Sequence, residues 1–247
     1  MMPDALGALN QQFQQGCYVA QQAAMAEQMG NVFAACQLYD QAIGLIANTI
    51  GMATQYGIPV TDNVFFSVAY CHFNAARLKA AAGWPQAVPA HLNFALQAVS
   101  QAIAINPNIY LYHSGAGLVL LAMSNVPAAM QEFERAVQLN PADSFSHWML
   151  SSLHTAQGNT MAANQYYAAA LSAQPNLPPP QFAPEQNQVA PSTPGQGGQN
   201  QGAKHDWFGL INNALQFGNS VMGMMEKGSQ GQSLESGGQP NFNWSGY

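Results

Sequence analysis

A 34-residue repeat constrains the fold of this chain more than any other feature of its sequence. Residues 109–142 and 143–176 align without a gap. Similar side chains recur 34 residues apart at Ala129 and Ala163, Phe133 and Tyr167, Ala136 and Ala170, and Pro141 and Pro175. A fixed period of this length is typical of a solenoid of stacked helical units. Because solenoids present extended binding surfaces, the repeat predicts that the chain binds another polypeptide.

Residues 16–49 contain a further copy of the pattern. Ala35, Tyr39 and Ala42 recur at the same small, aromatic and small spacing, and a glycine marks the turn between two helices. The pattern predicts one antiparallel helix pair over this range. A preceding helix is expected to begin near Asp4, which is a suitable N-cap residue.

Residues 62–108 form a less regular unit. Asp62 is the predicted N-cap of a helix that ends at Gly83, and a second helix is predicted over residues 92–107. Seven additional residues, two of them prolines, separate these helices when the unit is compared with the last repeat. An enlarged internal loop is therefore expected within this unit.

Charge is scarce in this chain, because Asp, Glu, Lys and Arg make up 6% of its residues and the net charge is -6. Ordinary globular domains are about 25% charged. Five Lys and Arg residues cannot form the basic stripe that neutralises phosphates, so nucleic acid is not an expected ligand. No stretch reaches the roughly 18 apolar residues of a membrane span, and no signal peptide is recognisable. A soluble, cytoplasmic protein is expected.

Motifs for catalysis or cofactor binding are absent from the sequence. The eleven Asp and Glu residues are scattered, and no nucleophile elbow, zinc-protease motif or phosphate loop occurs. Neighbouring repeat helices would hold His113 and His147 about 10 Å apart, whereas a metal needs its ligands roughly 2 Å away. Packed, hydrogen-bonded roles are therefore expected for these histidines. The expected state of Cys17, Cys36 and Cys71 is a buried, reduced thiol. The sequence predicts neither an enzyme nor a bound cofactor or metal.

The repeats resemble the tetratricopeptide repeat (TPR) family, whose unit is a 34-residue helix-turn-helix. In the last two repeats the family's consensus places are held by Gly117, Ala129, Phe133, Ala136, Pro141, Leu150, Gly158, Ala163, Tyr167, Ala170 and Pro175. The family prefers Trp or Tyr at the places of His113, Leu120, His147 and His154.

The resemblance implies an all-α, TPR-type solenoid of helical hairpins over residues 1–176. About four helix pairs are expected to form a right-handed superhelix, with repeats at about 16–49, 62–108, 109–142 and 143–176. The match is strongest over residues 93–176. The helix pair of residues 16–49 also resembles the hairpin of microtubule-interacting and trafficking (MIT) domains.

In TPR proteins the first helix of each pair lines a concave groove, so the resemblance also implies a partner-binding surface. The groove residues it implies in the last two repeats are Leu111, Ser114, Leu118, Leu121, Phe145, Trp148, Ser152 and Thr155. Family members that hold acidic chaperone tails use Lys and Arg at several of these places, so docking of such tails is not expected. Apolar and hydroxyl side chains favour an amphipathic helix or an extended apolar peptide as the ligand.

The composition changes after the repeats. Residues 177–205 are rich in Pro, Gln and Gly and predict a disordered linker, and residues 228–247 predict a disordered tail. Residues 206–227 predict a short amphipathic helix, which is marginal alone because its glycines disfavour helix. Its predicted docking face comprises Trp207, Phe208, Leu210, Ile211, Leu215, Val221 and Met224. Docking on the chain's own repeats and docking on another protein remain equally open, and membrane insertion is disfavoured by the few basic residues.

The sequence therefore predicts a non-enzymatic adaptor or scaffold that holds an apolar or amphipathic segment of a partner protein. Two alternatives remain open. A co-chaperone or secretion-type chaperone would shield hydrophobic client segments, for which the methionines near the end of residues 206–227 are suited. A structural scaffold would self-associate, because little surface charge keeps its repeats apart.

Overall fold

The computed structural model describes residues 2–180 and Ile211, and the described part of the chain contains helices and no strand. The helices of residues 2–180 are α1 (Met2–Gln28), α2 (Val32–Gln55), α3 (Asp62–Ala81), α4 (Val88–Ile105), α5 (Tyr110–Ala122), α6 (Val126–Leu139), α7 (Ser144–Ala156) and α8 (Thr160–Ala173). A short 3-10 helix, Pro85–Ala87, precedes α4. The predicted all-α fold is confirmed.

The helices pack as four consecutive hairpins, α1–α2, α3–α4, α5–α6 and α7–α8. The most extensive contacts lie within each hairpin, and the next most extensive join the second helix of one hairpin to the first helix of the following one. This nearest-neighbour pattern defines a solenoid, in which each unit depends mainly on the units beside it. The predicted stack of helical hairpins is therefore confirmed.

Asparagine side chains start the second helix of three hairpins. Asn31, Asn125 and Asn159 are the N-caps of α2, α6 and α8, and each accepts a hydrogen bond from the backbone N–H three residues later, at 3.1, 3.4 and 3.4 Å. An N-cap of this kind satisfies one of the free N–H groups at a helix start. The caps at Asn125 and Asn159 are 34 residues apart, so the repeat fixes where each hairpin turns.

The residue before two of these caps adopts a left-handed backbone conformation. Gly30 and Gly158 have φ values of 76° and 75°. Ser124 takes the place of Gly158 in the preceding repeat and has a φ of 62°. A side chain in this conformation is strained relative to glycine, so the α5–α6 turn is a point of stored strain.

Each repeat buries an aromatic side chain between small residues. Phe133 of α6 is fully buried, and a Cβ atom added to Gly117 of α5 would lie 2.8 Å from its ring. Ala129 and Ala136, one helical turn on either side of Phe133, are also fully buried. Small residues on both helices allow α5 and α6 to approach closely enough for the ring to fill the space between them.

Three local predictions in the first two hairpins are wrong. The helix expected to precede the first repeat is not separate, because α1 is continuous from Met2 to Gln28. Thr61, and not Asp62, is the N-cap of α3, although its side chain makes no capping hydrogen bond. The expected enlarged loop before residue 92 is mostly helical, since a 3-10 turn leads into α4 at Val88. Proline is compatible with the first turn of a helix, where its missing N–H has no partner in any case.

Candidate functional site

The candidate site is the surface formed by the predicted groove residues of α5 and α7, here called the α5/α7 face. On α5 these residues lie three or four positions apart, which places them on one side of the helix, and the same holds on α7. None of the eight side chains is charged. The face comprises Leu111, Ser114, Leu118, Leu121, Phe145, Trp148, Ser152 and Thr155.

The α5/α7 face is more buried than an open groove. Leu118, Leu121 and Ser152 are 0% exposed, and Trp148 is 2% exposed. Ser114 and Phe145 are also buried, whereas Leu111 and Thr155 are half-buried. Side chains that line an open groove retain contact with water, so the face is covered within the chain.

Hydroxyl groups on the α5/α7 face are occupied by intramolecular hydrogen bonds. Ser114 Oγ lies 3.0 Å from a carboxylate oxygen of Asp143 and 2.8 Å from Ser146 Oγ. Ser152 and Thr155 donate to backbone carbonyls one turn earlier, at 2.9 and 2.8 Å. Burial raises the pKa of Asp143, although hydrogen bonds from Ser146 and Ser114 partly offset this. These hydroxyls therefore join the third hairpin to the fourth, and the face recognises ligands mainly through its apolar groups.

Two aromatic side chains hold the segment that follows α8. The indole Nε1–H of Trp148 donates to the carbonyl oxygen of Pro178 at 2.9 Å. The hydroxyl of Tyr167 donates to the carbonyl oxygen of Leu177, also at 2.9 Å. A non-helical stretch of main chain therefore already lies against one of the predicted groove residues, through a backbone hydrogen bond that does not depend on side-chain identity.

Histidines anchor the first helix of the last two hairpins to the loop before it. His113 Nε2 donates to the carbonyl of Pro107 at 3.0 Å, and His147 Nε2 donates to the carbonyl of Pro141 at 3.1 Å, exactly one repeat later. His113 Nδ1 also donates to Glu132 at 2.7 Å. Burial lowers the pKa of His113, but the bonds to Glu132 and to Pro107 outweigh it, so the net shift is upward. The expected packed, hydrogen-bonded role of these histidines is confirmed.

The recurrence of these contacts at a 34-residue period, with the aromatic ring seated against glycine and the prolines closing each unit, decides the type of solenoid. The fold is of the TPR type.

Comparisons with known proteins give matches at the level of structure. No family model and no curated protein matches the chain. Solved structures that resemble it include a crystal structure of MamA, with 14% identity over 62% of this chain and 94% of that one, at a TM-score of 0.37. A crystal structure of YrrB, described as a TPR protein with an unusual peptide-binding site, has 12% identity over 64% and 86%, at a TM-score of 0.36. A second MamA structure has 15% identity over 65% and 92%, at 0.34.

A buried polar network joins the first two hairpins and was not anticipated from the sequence. The ammonium group of Lys79 donates to both carboxylate oxygens of Asp40, at 2.7 and 2.9 Å, and to His91 Nε2 at 2.8 Å. His91 Nδ1 lies 3.0 Å from His72 Nδ1. Since Lys79 occupies Nε2 of His91 as a donor, His91 carries its proton on Nδ1 and donates it to His72. His72 and Lys79 are seven residues apart, two turns of α3, and this spacing of polar residues on an apolar helix was the available signal.

Both histidines of this network are shifted toward the neutral state. Burial, followed by the neighbouring His91, lowers the pKa of His72 to about 4. Burial and the adjacent Lys79 lower the pKa of His91. The expected buried, unpaired cysteines are also found, since Cys17, Cys36 and Cys71 are free and buried. Within the described residues no group of three or more His, Cys, Asp and Glu side chains is arranged to hold a metal ion.

The predicted docking helix lies almost wholly outside the described residues. The exception is Ile211, which is helical, 0% exposed and part of the hydrophobic core cluster. Outside the described part lie Trp207, Phe208, Leu210, Leu215, Val221 and Met224, together with most of the predicted linker and the tail. Among the described helices none is both long and apolar enough to cross a membrane.

Proposed function

We propose that this chain is a non-enzymatic protein-interaction scaffold that binds an apolar or amphipathic peptide segment of a partner on the α5/α7 face. The observation that carries the proposal is the chemistry of that face, which is uncharged, built from aliphatic and aromatic side chains, and already in contact with main chain through Trp148 and Pro178. An apolar surface with a few backbone-directed hydrogen bonds suits a peptide better than it suits a polar metabolite.

The charges of the described residues support an uncharged ligand. Arg77 and Lys79 are buried, and they pair with Glu27 at 2.7 Å and with Asp40 at 2.7 Å. Arg135 is exposed on α6, the second helix of its hairpin. No cationic side chain among these belongs to the α5/α7 face, so an acidic peptide would gain no ion pair there. Affinity would come mainly from apolar burial, worth about 25 cal/mol per Å² before the costs of association are subtracted.

A peptide-selection experiment tests this proposal. The full chain is used to select from a phage-displayed library of 16-residue peptides, and the affinity of each selected peptide is measured by fluorescence anisotropy. Thr155→Lys places a charge at a half-buried position of the α5/α7 face and is expected to weaken binding at least 10-fold. Gln131→Lys adds the same charge at an exposed position of α6 and serves as the matched control.

Two outcomes would refute the proposal. One is the absence of any selected peptide that binds better than micromolar. The other is selection of peptides whose affinity falls equally with Gln131→Lys and Thr155→Lys, since binding would then depend on general charge and not on this face.

Self-association is a second candidate function, and one exposed cluster favours it. Phe33 and Trp84 form an edge-to-face pair with ring centroids 6.0 Å apart, and they are 58% and 40% exposed. Met29, in the adjacent turn, is 81% exposed. Exposed apolar clusters of this kind often mark protein interfaces. Sedimentation of the full chain from 1 to 100 µM tests it, because a constant monomer mass would exclude association and Phe33→Ser should abolish any dimer found.

A further inference from the structure

Burial of the α5/α7 face calls for a cover that the described helices do not supply. The substantial contacts of α5 are with α3, α4 and α6, and those of α7 are with α6 and α8. All of these belong to the same hairpin or to adjacent hairpins, which pack against the sides and back of a first helix and leave its inner side open. Leu118, Leu121 and Trp148 are nevertheless buried to within 2%.

Ile211 indicates which part of the chain supplies the cover. Its side chain is fully buried and belongs to the same hydrophobic cluster as the hairpins, whose other buried members all lie between Phe13 and Ala170. An isoleucine 31 residues beyond the last described position of the repeat region enters that cluster only if its segment returns to the repeats. The segment that contains Ile211 is the predicted amphipathic helix of residues 206–227.

The path of the chain favours a return to this particular face. The segment after α8 is directed toward α7, because Trp148 and Tyr167 hold the carbonyl groups of Pro178 and Leu177. Residues 181–210 then form a tether of 30 residues. A flexible tether of that length has an end-to-end distance of roughly 30 Å, and a 22-residue helix is roughly 33 Å long. Both lengths are sufficient for the segment to lie along two hairpins.

The chemistry of the segment also matches the α5/α7 face. Residues 206–227 carry three charged side chains, Asp206, Glu226 and Lys227, all at the ends of the segment. The uncharged interior would meet a face without charges, so docking would bury no unpaired ion. The glycines that weaken this helix in isolation make its folding depend on such a partner surface.

We propose that residues 206–227 occupy the α5/α7 face as an intramolecular ligand, so that a partner peptide binds only by displacing them. The regulatory part of this inference rests on the proposed function. A tethered ligand has an effective concentration on the order of 1 mM. If segment and partner each bound the free face with a Kd of about 10 µM, the tether would weaken apparent partner binding about 100-fold.

Thiol labelling in the full chain tests occupancy of the face. Ser152→Cys on α7 and Ala122→Cys on α5 introduce small reporters at buried positions of the inner side. Ile211→Asp is expected to raise the maleimide labelling rate of at least one reporter 10-fold or more. Asn213→Asp, on the predicted polar side of the segment, is the matched control and should leave both rates unchanged. The three native thiols are buried, and the parent chain measures their background.

A peptide titration tests displacement. A fluorescein-labelled synthetic peptide with the sequence of residues 206–227 should bind the Ile211→Asp chain at least 10-fold more tightly than the unaltered chain. Circular dichroism and gel filtration of each variant verify that the helices are retained and that the chain is monomeric.

The outcomes separate this inference from the proposed function. Unchanged labelling at both reporters on Ile211→Asp overturns the inference, even if library peptides bind. Protection that appears only at protein concentrations where a dimer forms assigns the cover to a second copy and also overturns it. Labelling that rises while no library peptide binds either chain supports the intramolecular contact and refutes the peptide-binding function.

Discussion

The contact between Gly117 and Phe133 gives the sharpest prediction about what holds a hairpin together. In Gly117→Ala the new Cβ atom would lie 2.8, 2.8 and 2.9 Å from three ring atoms of Phe133. The ring is 0% exposed and therefore cannot move into solvent. Overpacking of this kind typically costs about 1–3 kcal/mol.

A control at Gly44 isolates that packing cost. Alanine is about 1 kcal/mol better than glycine in a helix interior, and both positions are interior to a helix. A Cβ atom at Gly44 meets nothing within 4 Å, and the position is exposed. Gly44→Ala should therefore raise the free energy of unfolding by about 0.5–1 kcal/mol. Since the propensity gain is common to both variants, Gly117→Ala should be less stable than Gly44→Ala by the packing cost of about 1–3 kcal/mol.

Urea unfolding of the full chain, followed by circular dichroism, measures both values. Phe133→Leu in the Gly117→Ala background should restore part of the loss, because the smaller side chain relieves the overlap, and the two substitutions should be non-additive. If Gly117→Ala proved as stable as Gly44→Ala, close packing of the aromatic ring would not be what selects glycine at this position.

Four further predictions concern other sites. Ser124→Gly should stabilise the chain by up to about 1 kcal/mol by relieving the positive φ, whereas Gly158→Ser at the equivalent turn should destabilise it by a similar amount in the same urea experiment. Glu27→Gln should cost about 1–3 kcal/mol because it weakens the 2.7 Å contact with buried Arg77, while Arg135→Gln on the surface should change stability by less than about 0.5 kcal/mol. Trp148→Phe keeps the ring but removes the donor to Pro178, and should cost about 0.5–1.5 kcal/mol with faster amide exchange after α8. For the folded chain the pKa of His72 is lowered to about 4, so its contribution to stability is complete above an unfolded-state pKa of about 6.5 and is lost as the pH falls from there toward 4; His72→Gln should flatten the thermal-melting profile over that range, and an unchanged profile would show that this histidine is not the titrating group.

The sequence predicted the architecture because the residues that set it are local and periodic. Ala129, Phe133 and Ala136 recur one repeat later in kind, and such spacing follows directly from helix geometry. Helix ends were less predictable. Gly16 was taken as the start of a unit, but in the structure it lies within α1, where an added Cβ would be 2.7 Å from Ile46. A glycine required for close packing and a glycine that begins a helix have the same appearance in a single sequence.

The candidate site was predictable in position but not in environment. The 34-residue register placed Leu118 and Trp148 on the inner side of their helices, yet the register carries no information on whether a distant segment covers them. Their burial depends on contacts made across many residues, as does the network of Lys79, His91 and His72, which joins two helices. Interactions between residues that are far apart in sequence leave no periodic signal.

The polar joint between the third and fourth hairpins has a consequence for how this solenoid could change in length. Ser114 meets Asp143 and Ser146 across that joint, whereas Trp148, one period later, meets Pro178 instead. Tandem duplication of residues 109–142 would set Ser114 against second copies of Ile109 and Tyr112, which provide no carboxylate. Copying a whole unit is the simplest way for such an array to grow, and here it would produce a mismatched seam, so the order and number of the hairpins are specified by their joints.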